Sequence, residues 1–99
     1  MQDVTQEMIN DWKDVHQKVF KTDSGIYFRP LKRNEYSVLI EAQQKDVTGK
    51  FDWEIEVSKT CLLGGISQND LITEAGIATV LSENILLKSG FSVVEVEEV

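Results

Sequence analysis

The sequence predicts a small single α+β domain over residues 1–99, and three observations support that class. Apolar residues recur at helical spacing across residues 75–88. Residues 26–29 alternate as a half-buried strand does, and they follow the turn-forming sequence of residues 23–25. The chain has no repeat, low-complexity tract or linker, and its apolar content of 41% is enough for one modest core.

The first elements in the chain are a helix and a β-hairpin. Thr5 or Asp3 is suited to cap the helix. The hairpin places strands at residues 18–22 and 26–31, and Pro30 ends the second strand because it lacks a backbone donor. The apolar positions of the helix recur at helical spacing: Met8, Trp12, Val15 and Val19.

Two further elements occupy the middle of the chain. Asn34 is suited to cap a helix that begins at Glu35 and continues to residue 44. Residues 50–63 fit a third helix, because apolar side chains recur every three or four positions. The same segment also alternates perfectly between apolar and acidic residues, so a strand is a close alternative to the favoured helix. One side of the earlier helix carries Tyr36, Leu39, Ile40 and Gln43.

The last third of the chain is predicted to contain a polar loop, a helix and a terminal strand or tail. The helix covers residues 75–88, and Gly90 follows it as a stop signal. Its predicted buried face contains Ile77, Val80, Leu81, Ile85 and either Leu87 or Lys88.

Residues 92–99 form a possible extended C-terminal arm, in which valines alternate with glutamates. We expect this arm to add a strand to a sheet, either that of its own chain or that of a neighbouring subunit. The neighbour is favoured, because the chain otherwise offers only two predicted strands and a lone hairpin is marginal.

Charge is unevenly distributed along the chain. The formal net charge of −7 argues against a nucleic-acid-binding protein. Residues 17–33 are the exception, with five basic side chains and one acid. Such a basic island is either a solvated or internally paired face, or a surface that orients the chain on a protein partner.

The sequence offers no convincing catalytic site. His16 lacks a predicted orienting partner and nucleophile, and Cys61 is expected to be a buried thiol. Gly64-Gly65 lacks the basic residue and the longer glycine pattern of a phosphate loop. We therefore expect no enzyme activity, no cofactor and no metal site. Residues 1–9 lack a signal-peptide pattern, and no apolar run is long enough for a membrane span.

Arginine and tyrosine are enriched at protein interfaces, so the aromatic and basic residues of segment 26–36 are candidates for binding a protein. The C-terminal arm supplies further candidates through its apolar residues. The complete predicted partner-binding set is Tyr27, Arg29, Lys32, Arg33, Tyr36, Phe91, Val94 and Val96.

Residues 26–36 read Ile-Tyr-Phe-Arg-Pro-Leu-Lys-Arg-Asn-Glu-Tyr. This segment resembles a motif of small proteins encoded among the tail genes of contractile-tailed bacteriophages. Cys61, Ala75-Gly76-Ile77 and Ser89-Gly90-Phe91 match further motifs of those proteins in the same order. The likeness covers roughly residues 12–91, although the chain lacks the proline that usually follows the cysteine segment and the Ala-Gly pair.

The resemblance implies a tail or baseplate component that binds phage proteins, with a possible homo-oligomer, in the virion tail or in the host cytoplasm during assembly. Two alternatives remain at this point. One is a soluble tail assembly chaperone that is absent from the virion. The other is a phage-encoded cytosolic regulator that binds a host protein, for example as an acidic decoy.

Overall fold

A computed structural model describes residues 3–91 and 96–99, and these residues form the α+β domain that the sequence predicts. The three short strands form one antiparallel sheet in the order β1-β2-β3. The elements in chain order are α1 (Gln6–His16), β1 (Phe20–Lys21), β2 (Tyr27–Phe28), α2 (Arg33–Lys45), α3 (Trp53–Cys61), β3 (Leu62–Gly64), α4 (Gln68–Thr73) and α5 (Ile77–Lys88).

The predicted hairpin is present, with shorter strands than expected. Phe20 pairs with Phe28 and Lys21 pairs with Tyr27. Because successive side chains of a strand point to opposite faces, the two phenylalanines share one face, where their rings stack at 5.6 Å. Tyr27 lies on the other face and contacts Trp12 of α1, with the ring centroids 5.7 Å apart.

Thr5 is the residue that caps α1, and its hydroxyl accepts a hydrogen bond from the amide of Met8 at 3.2 Å. The predicted cap of α2 is wrong. This helix begins at Arg33 rather than at Glu35, and the Glu35 carboxylate accepts from the amide of Lys32 at 2.9 Å. Glu35 therefore satisfies a free donor at the start of α2, which was the role expected of Asn34.

Residues 53–61 form a helix, so the favoured interpretation of segment 50–63 is confirmed and the strand alternative is wrong. Asp52 caps this helix by accepting from the amide of Ile55 at 3.1 Å. The last residues of the segment instead form β3, which the sequence did not predict. β3 pairs with β2, so the hairpin is part of a three-stranded sheet rather than a lone unit.

The predicted polar loop before α5 contains the short helix α4. The Asp70 carboxylate accepts from the amide of Ser67 at 3.1 Å, which satisfies a free donor at the start of this helix. Leu71 of α4 is only 2% exposed and joins the core. One buried leucine was too weak a periodic signal for sequence analysis to find the helix.

The existence of α5 is confirmed, but its predicted buried face is only partly correct. Leu81 and Ile85 are buried, whereas Val80 and Leu87 are 57% and 53% exposed. Two small residues, Ala78 and Ser82, occupy the rest of the buried face. Small side chains permit close packing of α3, whose buried Ser58 donates its hydroxyl proton to the Ala78 carbonyl at 3.2 Å.

Gly90 ends α5, as the sequence predicts. It has a φ of +97°, and its amide donates to the carbonyl of Leu87 at 3.3 Å. The amide of Phe91 donates to the carbonyl of Leu86 at 3.0 Å. These two bonds are the Schellman motif, in which a glycine tolerates the left-handed conformation that reverses the chain.

The sequence predicts a strand or tail over residues 91–99, and residues 92–95 of this segment lie outside the described part of the chain. Among residues 96–99 the structure has no strand, and Val96 is 89% exposed. Whether the arm adds to a sheet therefore remains a prediction.

The core lies where the sheet, α3 and α5 meet. Its members are apolar, and they come from every part of the chain between the hairpin and α5. The buried core cluster consists of Ile26, Phe28, Leu31, Leu39, Val57, Cys61, Ile66, Leu71, Leu81 and Ile85.

Candidate protein-binding surface

Four of the predicted partner-binding residues lie together on one surface. Phe91 packs on Tyr36, with the ring centroids 4.9 Å apart, although 55 positions separate them in the chain. The guanidinium of Arg33 lies over the Tyr36 ring, with Cζ 5.6 Å from the centroid. Lys32 is exposed beside them and lines the same depression. We call Lys32, Arg33, Tyr36 and Phe91 the basic-aromatic surface.

Local chain geometry explains why these residues converge. The Schellman motif turns Phe91 back towards Leu86, the apolar partner that commonly accompanies this motif. The hydroxyl of Ser89 accepts a hydrogen bond from the amide of Leu31 at 2.8 Å. This bond fastens the segment before α2 to the end of α5, so both halves of the surface have a fixed relative position.

Two adjoining depressions make the surface concave. One, of about 210 Å³, is lined by both basic residues together with Tyr36 and Phe91. The other, of about 400 Å³, shares the two aromatic residues and is otherwise lined by Ile40, Gln43, Trp53 and Leu86. The combined shape suits an apolar side chain flanked by negative charge.

The side chain of Arg29 forms hydrogen bonds within the domain. Its Nη1 and Nη2 atoms donate to Oε1 and Oε2 of Glu35 at 2.8 and 2.7 Å. Nη1 also donates to the Pro30 carbonyl at 3.1 Å, and Nη2 donates to the Thr60 carbonyl at 2.9 Å. Because this side chain is only 12% exposed, it supports the start of α2 rather than forming part of the basic-aromatic surface.

This ion pair shifts the pKa of both groups. The hydrogen bonds from Arg29 lower the pKa of Glu35 despite the opposing effect of burial. The hydrogen bond to Glu35 raises the pKa of Arg29. The pair neutralises two charges next to Lys32 and Arg33, so these two exposed side chains carry the positive charge of the surface.

Tyr27 lies apart from the basic-aromatic surface. It packs against Trp12 of α1, and the ammonium group of Lys21 lies 5.8 Å from its ring centroid. Of the predicted residues in the C-terminal arm, Val94 lies outside the described residues. Val96 is described and almost fully exposed.

Sequence analysis missed two residues that shape the surface. Trp53 meets Tyr36 edge to face at 5.8 Å, and Ser89 holds the Leu31 amide. Trp53 is one of the apolar residues whose spacing predicts a helix over residues 50–63, and that pattern does not indicate a contact with Tyr36. No local pattern connects Ser89 with a residue 58 positions earlier. The Ser89-Gly90 pair after a strong helix was a partial signal, since it predicts where the chain reverses.

Cys61 and His16 have the environments of packed side chains. Cys61 is fully buried at the end of α3, and burial raises the pKa of its thiol to about 12. Burial also lowers the pKa of His16, with Arg29 and Lys32 adding electrostatic repulsion. A thiol with so high a pKa holds almost no thiolate near neutral pH, so it is a poor nucleophile.

Across residues 3–91 and 96–99, the acidic, histidine and cysteine side chains form no cluster of three or more that could hold a metal ion. Within the same ranges, no helix combines the length and apolarity needed to cross a bilayer. No protein-family model, curated protein or solved structure matches the chain.

Proposed function

We propose that this chain is a non-catalytic tail or baseplate component of a contractile-tailed bacteriophage, and that it acts through protein–protein contacts. The observation that carries the binding role is the convergence of Lys32 and Arg33 with two half-exposed aromatic rings around an open depression. The assignment to phage tails rests on the sequence motifs of residues 26–36 and of the segments around Cys61, Gly76 and Gly90.

The partner that fits the basic-aromatic surface is an acidic protein segment with an exposed apolar side chain. Carboxylates would pair with Lys32 and Arg33 at the rim, while the apolar side chain would enter the depression between Tyr36 and Phe91. Since the rest of the chain is strongly acidic, an acidic partner would approach at this surface rather than elsewhere.

The environments of the two candidate nucleophilic and basic side chains support a non-catalytic role. Cys61 is enclosed by the core, and its thiol has a strongly raised pKa. The Nδ1 atom of His16 is buried without a hydrogen-bond partner among the described residues, so this nitrogen lacks the carboxylate contact that commonly orients a general base.

The test co-expresses the tagged chain with the proteins encoded by its neighbouring genes and measures which of them co-purify in stoichiometric amounts. We expect one acidic protein to bind, and the double variant K32E/R33E to lose it. Lys50→Glu, a charge reversal outside both depressions, is the matched control and should bind normally. The proposal is overturned if no neighbouring gene product binds, or if both charge-reversal variants bind like the unmodified chain.

The kinetics of that complex provide a second readout. Rim charges act mainly on the encounter rate, so Arg33→Glu should slow association and reduce its dependence on salt. Truncating Phe91 to alanine should instead speed dissociation, because a buried aromatic contact is lost. If both variants slowed association equally and left the dissociation rate unchanged, the division of the surface into a charged rim and an apolar centre would be contradicted.

Mass spectrometry of purified phage particles distinguishes the location of the protein. A retained tail or baseplate part is present in the particle in fixed proportion to the tail proteins. A tail assembly chaperone binds the same kind of partner in the host cytoplasm but is missing from the finished particle. Binding to a host protein and to no tail protein would favour the cytosolic regulator instead.

A further inference from the structure

A second concave site lies on the opposite face of the hairpin from Tyr27 and is not part of the basic-aromatic surface. This open groove of about 820 Å³ runs between the hairpin and α5. Its apolar floor includes Phe20, Phe28, Ile77 and Leu81. Val80 also lines it and is 57% exposed, so the groove presents uncovered apolar area to the solvent. We call it the hairpin groove.

One wall of the hairpin groove is a sheet edge with which no other strand of the described residues pairs. β1 is the outer strand of the sheet, since the order is β1-β2-β3. The amide of Thr22 donates to the carbonyl of Ile26 at 2.9 Å, and hydrogen-bonded pairs alternate along an antiparallel ladder. The next pair along the ladder, Lys21 with Tyr27, is therefore not hydrogen-bonded. The backbone amide and carbonyl of Lys21 consequently point away from β2, towards the outer side of β1.

The C-terminal arm has the pattern needed to pair with such an edge. In its sequence Val94 and Val96 alternate with Glu95 and Glu97, so a strand over residues 94–97 would carry two valines on one face and two carboxylates on the other. Residues 92–95 are not described, whereas Val96 is 89% exposed and so has no cover in the domain.

We propose that the C-terminal arm of a second copy of this chain adds to β1 as a fourth strand and fills the hairpin groove. Neighbouring residues in a sheet share a face, so Val94 and Val96 would lie beside Phe20, over the apolar floor. Glu95 and Glu97 would lie on the opposite face, where the Lys21 side chain covers the Tyr27 ring.

Two lysines next to β1 are placed to pair with glutamates of the arm in the same orientation. The ammonium group of Lys88 lies 5.4 Å from the Phe20 ring centroid, on the groove side of the sheet. Glu98 shares a strand face with Val94 and Val96, so it would approach Lys88. The arm thus places carboxylates near Lys21 on one face of β1 and near Lys88 on the other, while the acidic residues Asp23 and Glu74 also line the groove.

The start of the arm favours a second copy over the chain's own groove. Phe91 is held by its hydrogen bond to Leu86 and by packing on Tyr36. The depressions around Phe91 share no lining residue with the hairpin groove. Phe91, the residue that precedes the arm, therefore lies on a different surface from the hairpin groove. Two copies related by a twofold axis could exchange arms, so that each edge is covered and the assembly closes.

The test measures the molecular mass of the full-length chain by sedimentation equilibrium over a range of concentrations. We expect a dimer that becomes monomeric when residues 92–99 are deleted. Val96→Glu should raise the dimer dissociation constant about tenfold or more, because it places an unpaired charge in the apolar groove. Val47→Glu, at a site that is 96% exposed and does not line the hairpin groove, is the matched control and should dimerise normally.

Two further variants locate the contact on β1. Lys21→Pro removes an outward amide, which an edge strand tolerates, so circular dichroism should be unchanged while dimerisation is lost. Lys21→Glu and Glu97→Lys should each weaken the homodimer, and mixing the two should restore association between them. A chain that is monomeric at all concentrations overturns the inference, as does a dimer that survives the deletion. The inference is also overturned if the chain is a monomer and deletion of residues 92–99 reduces the hydrogen-exchange protection of the Lys21 amide. That result would show that the arm pairs with β1 of its own chain.

Discussion

Arg29 and Glu35 form a two-pronged ion pair that joins the end of the hairpin to the first turn of α2. The two nitrogen–oxygen distances are 2.8 and 2.7 Å, and the side chains are 12% and 24% exposed. Arg29 also donates to the Thr60 carbonyl near the end of α3. One guanidinium therefore links the sheet, α2 and α3, and partial exclusion of water makes this contact stronger than a surface pair.

Replacing Arg29 by alanine should destabilise the domain by about 1–3 kcal/mol, because the Glu35 carboxylate and the Thr60 carbonyl lose their donor. Arg29→Lys should recover only part of this loss, since an ammonium group cannot match both carboxylate oxygens. Lys45→Ala removes an ion pair to Glu41 whose side chains are 73% and 63% exposed, and it should change the free energy of unfolding by less than about 0.5 kcal/mol. Urea denaturation measures all three variants, and equal effects of Arg29→Ala and Lys45→Ala would contradict a structural role for Arg29.

The same pair predicts a dependence of stability on pH. The pKa of Glu35 is lowered in the folded chain by its hydrogen bonds to Arg29, so the unfolded state binds this proton more readily. The stabilisation is therefore fully present above the ordinary carboxyl pKa of about 4.3 and is lost as the pH falls through the lower folded value.

The measurement compares the free energy of unfolding of the unmodified chain with that of Glu35→Gln between pH 7 and pH 3. The difference should be largest near neutral pH and shrink on acidification. The Asp46 pKa is also lowered, by hydrogen bonds from Thr48 and Phe51, but subtracting the variant removes the contribution of Asp46. A difference in the free energy of unfolding that stays constant down to pH 3 would show that the charge of Glu35 does not stabilise the folded chain.

The sequence predicts those parts of the fold that depend on local chemistry. Gly90 ends α5 and Thr5 caps α1, because both act through bonds within a few residues of the chain. β3 was missed because Leu62 and Leu63 are strand-forming only through pairing with a hairpin more than 30 positions earlier. The exact buried face of α5 was also missed. Ser58 of α3 lies close to α5 at Ala78, so this small residue is buried there while Val80 remains exposed.

The candidate surface was predictable in composition but not in arrangement. Clustered positive charge and aromatic residues in segment 26–36 pointed to a protein contact. Nothing local distinguishes Arg33, which remains exposed, from Arg29, which is bound to Glu35 and Thr60. The meeting of Tyr36 with Phe91 depends on how α5 packs, and so it is a property of the tertiary structure.

Two leucines of α5 should respond very differently to truncation. Leu81 is 1% exposed in the core, so Leu81→Ala should cost about 2–5 kcal/mol through lost burial and a cavity. Leu87 is 53% exposed and outside the core cluster, so Leu87→Ala should cost less than about 1 kcal/mol. Both substitutions leave the helical propensity equally favourable, and thermal denaturation followed at 222 nm compares them directly. Similar melting temperatures would mean that α5 packs through another face.

Alanine substitutions at two glycines with left-handed backbones should distinguish the cost of backbone strain from the cost of a steric clash. Gly90 has a φ of +97° and open space where a Cβ would project, so Gly90→Ala should cost about 1 kcal/mol. Gly65 has a φ of +95°, and a Cβ there would collide with the carbonyl oxygen of Gly25 in the hairpin turn. Gly65→Ala should therefore be much more destabilising, by roughly 3 kcal/mol or more. Comparable denaturation midpoints for the two variants would show that the hairpin turn can move away.

The contact between Tyr36 and Phe91 should be measurable without any partner. The rings are 4.9 Å apart, and Phe91 is 47% exposed, so the pair rather than burial alone holds the phenylalanine in place. In a double-mutant cycle of Tyr36→Ala and Phe91→Ala, we expect a coupling free energy of about 0.5–1.5 kcal/mol. Phe51→Ala paired with Phe91→Ala is the control cycle, because Phe51 contacts Trp53 and lines neither depression. Additive effects in the Tyr36 cycle would mean that Phe91 is not seated on Tyr36, and the basic-aromatic surface would then lack its apolar centre.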